Sequence, residues 1–360
     1  MTEQEAMDRA LALALNGWGR VAPNPLVGAV LLRNGAVIGE GYHAEFGGAH
    51  AETAALAAAG DATGATCVVN LEPCAHQGKT PPCAAALVAA GVRRVVAAIR
   101  DPDPVAGGGA AVLRAAGVEV EFGVRDRAAA ALNAPFLWSS ARSGRPFVAL
   151  KVATSLDGFL ADARGKSQWI SGPEAREYAH WLRAGYDAIA VGHRTAVQDD
   201  PQLTVRGPIV PRTTPWRVIF AQEQVESGLR VFTDELAERT VVLVRPAARD
   251  RVEGELGRRG VKVIPVTSLA AGLEALRALG VRSLLVEGGG RLHTAFLGEG
   301  LADRVYWIHA PVWLGTGVAA FGARDPVTLD GAAAWSVVER RALGRDSLLV
   351  VDRELCLPAS

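Results

Sequence analysis

One histidine, one glutamate and two cysteines near the N-terminus have the types and spacing of a zinc site. His50-Ala51-Glu52 comes first, Pro73-Cys74 follows, and residues 75–82 separate Cys74 from Cys83. An imidazole and two thiolates bind three corners of a tetrahedral Zn²⁺ and leave the fourth corner for water. The carboxylate of Glu52, two residues from the imidazole, can move the protons of that water. Such a site hydrolyses amino groups from nitrogen heterocycles.

Each piece of this pattern also has an ordinary explanation. A His-x-Glu sequence is usually a solvated helix start, and a pair of cysteines usually fills apolar space. In this order, with a proline before the first cysteine, the pieces match the zinc-deaminase signature. His76, between the two cysteines, is a second candidate ligand. For Cys67, inside an apolar run, and Cys356, near the C-terminus, we expect no role in metal binding.

Three sequence elements must hold these side chains. We predict a helix over about residues 50–59 that begins at His50, a strand Thr66–Leu71 that ends before Cys74, and a helix behind Pro81-Pro82 that begins at Cys83. Helix starts and strand ends meet at the edge of a sheet, where side chains from separate elements can assemble. The partial positive charge of a helix N-terminus also favours the thiolate form of a nearby cysteine.

Helices and strands alternate over the rest of the first half, as in an α/β layered domain. Thr2 and Glu5 form a capping box for a first helix, and Arg33-Asn34-Gly35 between two apolar runs predicts a β-hairpin. The remaining predicted elements are a strand at 94–99, a helix at 110–116, a strand at 118–122 and one last helix after 126.

The second half continues this alternation without sharing a motif with the first. The predicted elements are Phe147–Ala153, Pro173–Arg183, Asp187–Val191, Trp216–Phe220, Thr240–Val244, Val261–Pro265, Leu269–Leu279, Ser283–Val286, Arg291–Leu297 and Arg304–His309. In residues 286–290 an apolar strand runs into three glycines and then a helix, which suits a pyrophosphate because backbone amides and the helix N-terminus attract an anion. Alone, such a run is more often a loop, and it lacks the Gly-x-Gly-x-x-Gly order of a dinucleotide-binding fingerprint.

Length and local composition indicate two domains. At 360 residues the chain is too long for one typical core. The segment Ser139–Pro146 is small and polar, which predicts a linker. We therefore expect one domain over residues 1–145 and another over residues 146–360. Because the halves share no motif, two different chemistries are expected.

Composition argues against several classes of function. The chain has 38 basic and 38 acidic residues, so no overall charge attracts nucleic acid or an anionic membrane. The acidic N-terminus does not have the pattern of a secretory signal, and no apolar run reaches the ~20 residues of a membrane span. With four cysteines and no export signal, disulfides are not expected. We expect a cytoplasmic enzyme that acts on a small molecule and forms a homo-oligomer, most simply a dimer.

The N-terminal motifs resemble those of a known enzyme family. Glu72-Pro73-Cys74, Gly78-Lys79-Thr80-Pro81-Pro82-Cys83 and the upstream Pro23-Asn24-Pro25-Leu26-Val27-Gly28 resemble the deaminase domain of the bifunctional riboflavin-biosynthesis deaminase/reductases. The long loop between the two cysteines, where the general deaminase signature has two residues, is part of this resemblance. Asp101-Pro102-Asp103-Pro104 also matches, except that the family more often has Asn at the position of Asp103.

The second half resembles the reductase domain of the same family, which is related in fold to dihydrofolate reductase. The matching segments are Lys151–Gly158, Ser167–Ser171, Leu182-Arg183, Thr195, Asp199-Asp200-Pro201, Leu203–Arg206 and Val286–Gly290. The resemblance covers nearly the whole chain. It implies an α/β protein with an N-terminal cytidine-deaminase-like three-layer domain and a C-terminal dihydrofolate-reductase-like domain.

The resemblance also implies two reactions. The first domain would hydrolyse the 2-amino group of a 2,5-diamino-6-ribosylamino-pyrimidinone 5′-phosphate, with one Zn²⁺ per chain on His50, Cys74 and Cys83 and with Glu52 carrying protons. The second would reduce the ribosyl group to ribityl with NADPH, and Lys151 and Glu287 would orient or protonate the sugar. The implied NADPH contacts are Ala153, Trp169, Thr195, Asp199, Gly289, Gly290, Arg291, Leu292, His293, Thr294 and Ala295. The implied substrate contacts are Asn24, Lys79, Ser167, Arg183, Leu203, Arg206 and Glu287.

Two other interpretations compete with this one. The chain could deaminate another nucleotide or base and use its second domain only for binding. It could also be a catalytically idle regulatory protein that zinc stabilises. The long loop before Cys83 and the lack of a basic face argue against the first alternative, and Glu52, which a purely structural zinc site does not need, argues against the second.

Overall fold

The first helix begins where the Thr2/Glu5 capping box predicts, with both reciprocal hydrogen bonds present. The structure, a computed structural model, describes residues 1–76, 81–103, 105–141, 144–322, 332 and 334–353. The chain divides into two units, Met1–Arg142 and Ser143–Glu354. The first contains α1 (Glu3–Ala14), β1 (Gly28–Arg33), β2 (Ala36–Tyr42), α2 (Ala51–Ala59), β3 (Thr66–Leu71), α3 (Cys83–Ala89), β4 (Arg94–Ile99), α4 (Gly109–Ala115), β5 (Glu119–Phe122), α5 (Asp126–Leu132) and α6 (Ala134–Ala141).

The first unit is a five-stranded sheet between two layers of helices. Its strand order is β2-β1-β3-β4-β5. The β1–β2 hairpin turns at Asn34 and Gly35, both with positive φ, as the Asn-Gly sequence predicts. Alternate residues of β4 point to opposite faces: Val95 packs with α2, α3 and α4, and Val96 packs with α1, α5 and α6. Both faces of the sheet are therefore buried.

The second unit is built on a nine-stranded sheet. Its elements are β6 (Phe147–Thr154), β7 (Phe159–Asp162), α7 (Pro173–Ala184), β8 (Ala188–Gly192), α8 (His193–Asp199), β9 (Trp216–Phe220), α9 (Arg230–Thr233), β10 (Thr240–Val244), α10 (Arg249–Leu256), β11 (Lys262–Pro265), α11 (Leu269–Ala278), β12 (Ser283–Gly288), α12 (Gly290–Gly298), β13 (Arg304–His309), β14 (Gly317–Ala319), β15 (Ser336–Leu343) and β16 (Asp346–Asp352). The strand order is β11-β10-β9-β8-β12-β6-β13-β16-β15, and β7 pairs separately with β14.

The order of the parallel strands creates a crevice in this sheet. From β6 the chain moves to β8 and outward through β9, β10 and β11, and it then returns to place β12 between β8 and β6. Open parallel sheets bind ligands outside the carboxyl ends of the strands where the winding direction reverses. A ligand site is therefore expected beyond the ends of β6, β8 and β12.

Several details differ from the sequence-based predictions. The single helix predicted after Asp126 is two helices, α5 and α6. The predicted linker is wrong at its start, because residues 139–141 belong to α6, where the Ser140 hydroxyl bonds the Phe136 carbonyl. The prediction missed α8, α9 and α10 and the strands β7, β14, β15 and β16. No helix among the described residues has both the length and the apolar character needed to cross a membrane.

Candidate active sites

The structure brings the three predicted zinc ligands together in the first unit. His50 Nδ1 lies 3.5 Å from Cys74 Sγ and 3.3 Å from Cys83 Sγ, and the three ligand atoms lie within 4.8 Å of one another. A tetrahedral Zn²⁺ with one imidazole and two thiolates separates nitrogen and sulfur by about 3.6 Å, from its ordinary bond lengths. The donor set and its spacing therefore fit zinc. His76 is exposed and lies outside this group.

Each ligand occupies the end of an element. His50 is the N-cap of α2, Cys83 is the first residue of α3, and Cys74 follows β3 after two residues. Glycine permits the close packing of α2, because a Cβ at Gly41 in β2 would overlap backbone atoms of that helix. The main chain of α2, which begins after His50, therefore lies directly against β2.

Hydrogen bonding favours the thiolate form of Cys74. The hydrogen bond with Cys83 lowers the pKa of Cys74 to about 4, with a contribution from His50. The backbone N–H of Cys83 also donates to Cys74 Sγ, at 3.4 Å. The same side-chain hydrogen bond raises the pKa of the Cys83 thiol. Zinc binds cysteine as the thiolate, so a proton would leave each thiol that is still protonated when the metal binds.

Glu52 lies in the first turn of α2, beside the ligand group. Its side chain is buried, and burial raises its pKa to about 7, while a hydrogen bond with the Cys83 side chain acts in the opposite direction. A carboxyl group with a pKa near neutrality can both take up and release a proton at physiological pH. The position and chemistry of Glu52 therefore suit a proton carrier next to the metal.

Glu72, whose position sequence reasoning did not explain, anchors the segment that carries Cys74. Its carboxylate oxygens accept from the backbone N–H groups of Asp101, at 3.2 Å, and Ala110, at 2.9 Å. A Cβ at Gly109 would overlap the carbonyl of Pro73, so this segment lies directly against the start of α4. The Glu-Pro-Cys sequence was the available signal, but only the fold shows what its glutamate contacts.

The residues of this unit that were predicted to contact the substrate differ in where the structure places them. Asn24 Nδ2 lies 3.2 Å from His43 Nε2, and the His43 ring stands edge-on to that of His50, with centroids 5.4 Å apart. Asn24 is therefore one side chain away from the ligand group, through a histidine that the sequence analysis did not select. Asp103 Oδ1 accepts from the backbone N–H of Val105 at 2.8 Å and so shapes its own loop. Lys79 lies outside the described residues.

A cavity of about 1410 Å³ lies at the crevice of the second unit. Typical small-molecule sites occupy about 300–1,000 Å³, so this one has room for a dinucleotide and a second ligand. Its wall includes nearly all the residues predicted for this domain, namely Lys151, Ala153, Ser167, Trp169, Arg183, Thr195, Asp199, Leu203, Arg206, Glu287, Gly289, Gly290, Arg291, Leu292, His293 and Ala295. Thr294 is not in the wall, since its hydroxyl donates to the Gly290 carbonyl and accepts from the Gly322 N–H.

A largely buried charge cluster forms part of the cavity wall. Arg183 Nε and Nη2 each donate to a carboxylate oxygen of Glu287 at 2.6 Å, and Arg183 Nη1 donates to the Thr204 carbonyl at 2.8 Å. Burial opposes ionisation of Glu287, but the charge and hydrogen bonds of Arg183 hold the pKa of that carboxyl below its ordinary value. Burial lowers the pKa of Lys151, and the charge of Glu287 acts in the opposite direction.

The glycine turn after β12 has the shape that an anion requires. Gly289 has φ 95° and is the N-cap of α12, so backbone N–H groups at the start of this nine-residue helix face the cavity end of the strand. A Cβ at Gly288 would press on Thr195, which also lines the cavity. This cradle fits the pyrophosphate of a dinucleotide.

Sequence reasoning missed His180, which lines the same cavity from α7. Burial lowers its pKa, and the positive charge of Arg183 acts in the same direction. Its buried Nδ1 has no hydrogen-bond partner among the described residues. Its position on the same face as Arg183, one turn earlier in α7, was the only signal in the sequence.

Comparisons with known proteins agree with this geometry. A family model described as the RibD C-terminal domain matches residues 146–349, and one described as the cytidine and deoxycytidylate deaminase zinc-binding region matches residues 1–99. Riboflavin biosynthesis protein RibD of Aquifex aeolicus is 41% identical over 323 residues, which cover 88% of this chain and 89% of the relative. The chain belongs to the RibD family. RibD of Escherichia coli is 39% identical over 346 residues, 92% of each chain.

Solved structures of RibD proteins share the fold of the whole chain. RibD of Acinetobacter baumannii, form 1, has a TM-score of 0.81 and 38% identity over 97% of this chain and 98% of that one. A diaminohydroxyphosphoribosylaminopyrimidine deaminase/5-amino-6-(5-phosphoribosylamino)uracil reductase from Thermotoga maritima has a TM-score of 0.82 and 37% identity, with the same coverage.

Family membership confirms the fold and the two activities predicted from the sequence. The protein is a bifunctional deaminase and reductase of riboflavin biosynthesis, with a cytidine-deaminase-like first domain and a reductase domain related to dihydrofolate reductase. Its cofactors are Zn²⁺ and NADPH. Because the model of the RibD C-terminal domain covers residues 146–349, the alternative of a second domain used only for binding is not supported.

Proposed function

We propose that this RibD protein converts a diaminohydroxyphosphoribosylaminopyrimidine to 5-amino-6-(5-phosphoribosylamino)uracil and then reduces that product. Residues 1–145 would carry the deaminase and residues 146–360 the reductase. The substrate assignment is supported by the Thermotoga maritima enzyme, which is similar over 97% of this chain. The observation that carries it is the presence, in one chain, of a zinc-ligand group beside a buried carboxyl and a separate cavity suited to a dinucleotide.

In the deamination, water replaces the 2-amino group of the pyrimidine ring and ammonia leaves. Zn²⁺ held by His50, Cys74 and Cys83 would supply acidity, since bound water has a pKa near ~7 on such an ion. Glu52 would carry one proton of the attacking water to the ring nitrogen as the new C–O bond forms, and the second proton to the amine as the C–N bond breaks and ammonia leaves. Asn24 and Lys79 would bind the substrate, Asn24 from a position next to His43.

In the reduction, the ribosyl group gains a hydride and a proton and becomes ribityl. The Gly289 turn would hold the pyrophosphate of NADPH, which would supply the hydride. Lys151 and Glu287 would orient the sugar and deliver the proton. Arg183 and Arg206 suit the substrate phosphate, because a guanidinium binds phosphate through two N–H groups. Arg183 donates three of its five N–H groups to Glu287 and Thr204. Among the described residues the other two N–H groups have no partner, so they can bind a ligand.

One coupled assay tests this proposal on the full chain. With the diamino substrate, ammonia release should precede NADPH consumption, and the deaminated compound alone should consume NADPH without a lag. Deoxycytidylate is the control, and it should release no ammonia at a comparable rate. Efficient deamination of deoxycytidylate, or zinc-loaded protein that releases no ammonia from the diamino substrate, would contradict the substrate assignment.

The cell compartment and the oligomeric state of the enzyme are also part of the proposed function. We infer a cytoplasmic homodimer, since two-fold dimers are the commonest form of soluble homo-oligomers. Light scattering of the purified protein measures the mass of the particle directly. A monomer or a larger assembly would change this part of the proposal and leave the two reactions unaffected.

A further inference from the structure

Two buried carboxamides hold one short backbone segment of the deaminase domain. Asn133, directly after α5, accepts from Leu26 N at 2.8 Å and donates to Leu26 O at 2.9 Å. Asn70, in β3, donates to the same Leu26 carbonyl at 2.9 Å and accepts from Gly28 N at 2.8 Å. Because a backbone N–H can only donate and a carbonyl can only accept, these partners fix the orientation of both amides.

These side-chain hydrogen bonds satisfy backbone groups that a neighbouring β-strand would otherwise pair with. The ladder of β1 begins at Gly28, so the N–H and carbonyl of Leu26 lie just before it. Asn133 is 2% exposed and Asn70 is 0% exposed, so water cannot replace them. A buried backbone group without a partner costs about 1–3 kcal/mol. The segment Leu26–Gly28 therefore has one strongly preferred position.

That segment lies next to Asn24 and His43, and of these two residues only His43 touches a zinc ligand, His50. Asn24 lies two residues before Leu26. The backbone N–H of His43 donates to Val27 O at 2.9 Å, and His43 Nδ1 lies 3.0 Å from Ala49 O, next to the ligand His50. Because a carbonyl only accepts, Nδ1 carries the proton of His43. Nε2 then accepts from Asn24 Nδ2, at 3.2 Å.

This arrangement leaves the oxygen of Asn24 for a ligand. Asn24 Oδ1 has no hydrogen-bond partner among the described residues, whereas its nitrogen is held by His43. An amide oxygen accepts hydrogen bonds, so it suits an amino or ring N–H group of a pyrimidine. The backbone N–H of Asn24 donates to the Val21 carbonyl at 3.0 Å on one side, and Pro25 joins Asn24 on the other side to Leu26, which Asn133 and Asn70 hold.

We propose that Asn133 is a positioning residue of the deamination: through the Leu26 backbone it places the Asn24 carboxamide for the pyrimidine. This inference rests on the proposed function, which makes Asn24 a substrate contact. Asn133 itself touches neither the substrate nor the zinc ligands. A residue that only filled core space would need neither a donor nor an acceptor, and Asn133 uses both on one backbone unit.

Three single variants of the full chain test the positioning. Asn133→Leu removes both bonds, and Asn133→Asp keeps an acceptor for Leu26 N but loses the donor to Leu26 O. The matched control is Leu137→Ala, one turn along in α6, which is buried but contributes only packing. We expect the deaminase KM to rise about 10-fold in Asn133→Leu and less in Asn133→Asp, with kcat changed much less. Leu137→Ala should lower stability and leave KM unchanged.

A double-mutant cycle with Asn24 decides whether the effect passes through that residue. Asn24→Ala should raise the deaminase KM, and adding Asn133→Leu should raise it no further, because the contact is already absent. If the KM of the double variant rises by the product of the two single increases, the proposal is overturned. An unchanged KM in Asn24→Ala or in Asn133→Leu would overturn it as well. Should Asn133→Leu not fold, Asn133→Asp completes the same cycle.

Zinc content and the reductase reaction separate this proposal from the proposed function. Each variant should keep its zinc and should oxidise NADPH with the deaminated compound at the wild-type rate. If the wild-type protein releases no ammonia from the diamino substrate, the proposed function fails. If the wild-type protein passes that assay and the Asn133 variants keep a wild-type KM, only the positioning role fails.

Discussion

Glu52 and Glu287 are buried carboxyl groups with opposite electrostatics, one in each unit. Burial raises the pKa of Glu52 to about 7, and the charge of Cys74 acts in the same direction. Burial also opposes ionisation of Glu287, but the charge and hydrogen bonds of Arg183, together with Lys151, hold the pKa of Glu287 below its ordinary value. The same side chain is thus prepared for proton transfer in one unit and for permanent charge in the other.

The difference follows from what each carboxyl contacts. The neighbours of Glu52 are a histidine and two cysteines, and a Zn²⁺ with two thiolates has no net formal charge to offset burial. Glu287 receives two N–H donors from a single guanidinium. A group that carries protons needs a pKa near the working pH, whereas a group that holds a substrate or a neighbouring lysine needs a fixed charge. Substitution of Glu52 should therefore lower the rate of its reaction, whereas substitution of Glu287 should lower the stability of its unit.

Removing a metal ligand should have the largest effect. Cys83→Ser takes away one of two thiolates, so we expect loss of most of the bound zinc and of measurable deamination, with reduction of the deaminated compound intact. Metal analysis and the two assays on one preparation measure this. Cys67→Ser is the matched control, since Cys67 is equally buried but lies within β3 and outside the ligand group, and it should keep its zinc. Full zinc in Cys83→Ser would disprove its role as a ligand.

Glu52→Gln should separate metal binding from proton transfer. The amide keeps the size of the side chain but cannot accept the proton, so deamination should fall by at least ~10²-fold while zinc stays bound. Reduction of the deaminated compound by the same protein is the internal control and should be unchanged. Near-normal ammonia release would remove Glu52 from this role, and loss of reduction would contradict the assignment of the two reactions to separate domains.

Glu287→Gln should instead weaken the folded reductase unit. It leaves Arg183 buried and charged, and breaking a buried ion pair costs about 3–5 kcal/mol. We expect the low end, about 3 kcal/mol, because the amide oxygen can still accept one N–H. Urea unfolding followed through a reductase-unit tryptophan measures this cost. An unchanged midpoint would mean that Arg183 has found another anionic partner.

The lowered pKa of Glu287 predicts how the stability of the wild-type protein and of Glu287→Gln changes with pH. The folded pKa of Glu287 is lowered, so its contribution is present above the unfolded value near ~4.3 and is lost as the pH falls through the folded value. Wild-type stability should therefore decline more steeply below about pH 4.3 than that of Glu287→Gln. Parallel decline of both proteins would indicate that Glu287 titrates normally.

The zinc group was predictable from sequence because each of its residues lies at the end of a locally coded element. His50 and Cys83 begin helices, and Cys74 follows an apolar strand, so short-range patterns alone suggested that they meet. The fold class and the alternation of elements followed in the same way. Missed elements lack such a pattern: α10 buries only Val252 and Leu256, and β15 is an edge strand with charged residues in its centre.

The contacts that organise both sites were not predictable in this way. Arg183 and Glu287 were both expected near the substrate, but their pairing depends on the placement of α7 beside β12, across 104 positions of sequence. The same is true of Asn133, which is 107 positions from Leu26. Such contacts depend on tertiary packing, and no local periodicity encodes them.

Arg206→Ala should give the smallest effect and sharpen the contrast within the reductase cavity. Unlike Arg183, Arg206 is exposed, and its Nη2 donates to the side-chain oxygen of Gln202 at 3.0 Å. A hydrogen bond to a charged group contributes about 1.5–3 kcal/mol, and exposure favours the low end, so KM for the deaminated compound should rise about 10-fold. Stability should not change, because no buried charge loses its partner.

The salt dependence of KM distinguishes a phosphate contact from a structural one. Added salt should weaken binding in the wild-type protein more than in Arg206→Ala, since screening acts on a charge pair that the variant lacks. Arg249→Ala, which removes an exposed arginine paired with Glu253 outside the cavity wall, is the matched control and should leave KM and its salt dependence unchanged. An equal response to salt in wild-type protein and Arg206→Ala would show that Arg206 does not bind the phosphate, and Arg183 would then be the remaining candidate.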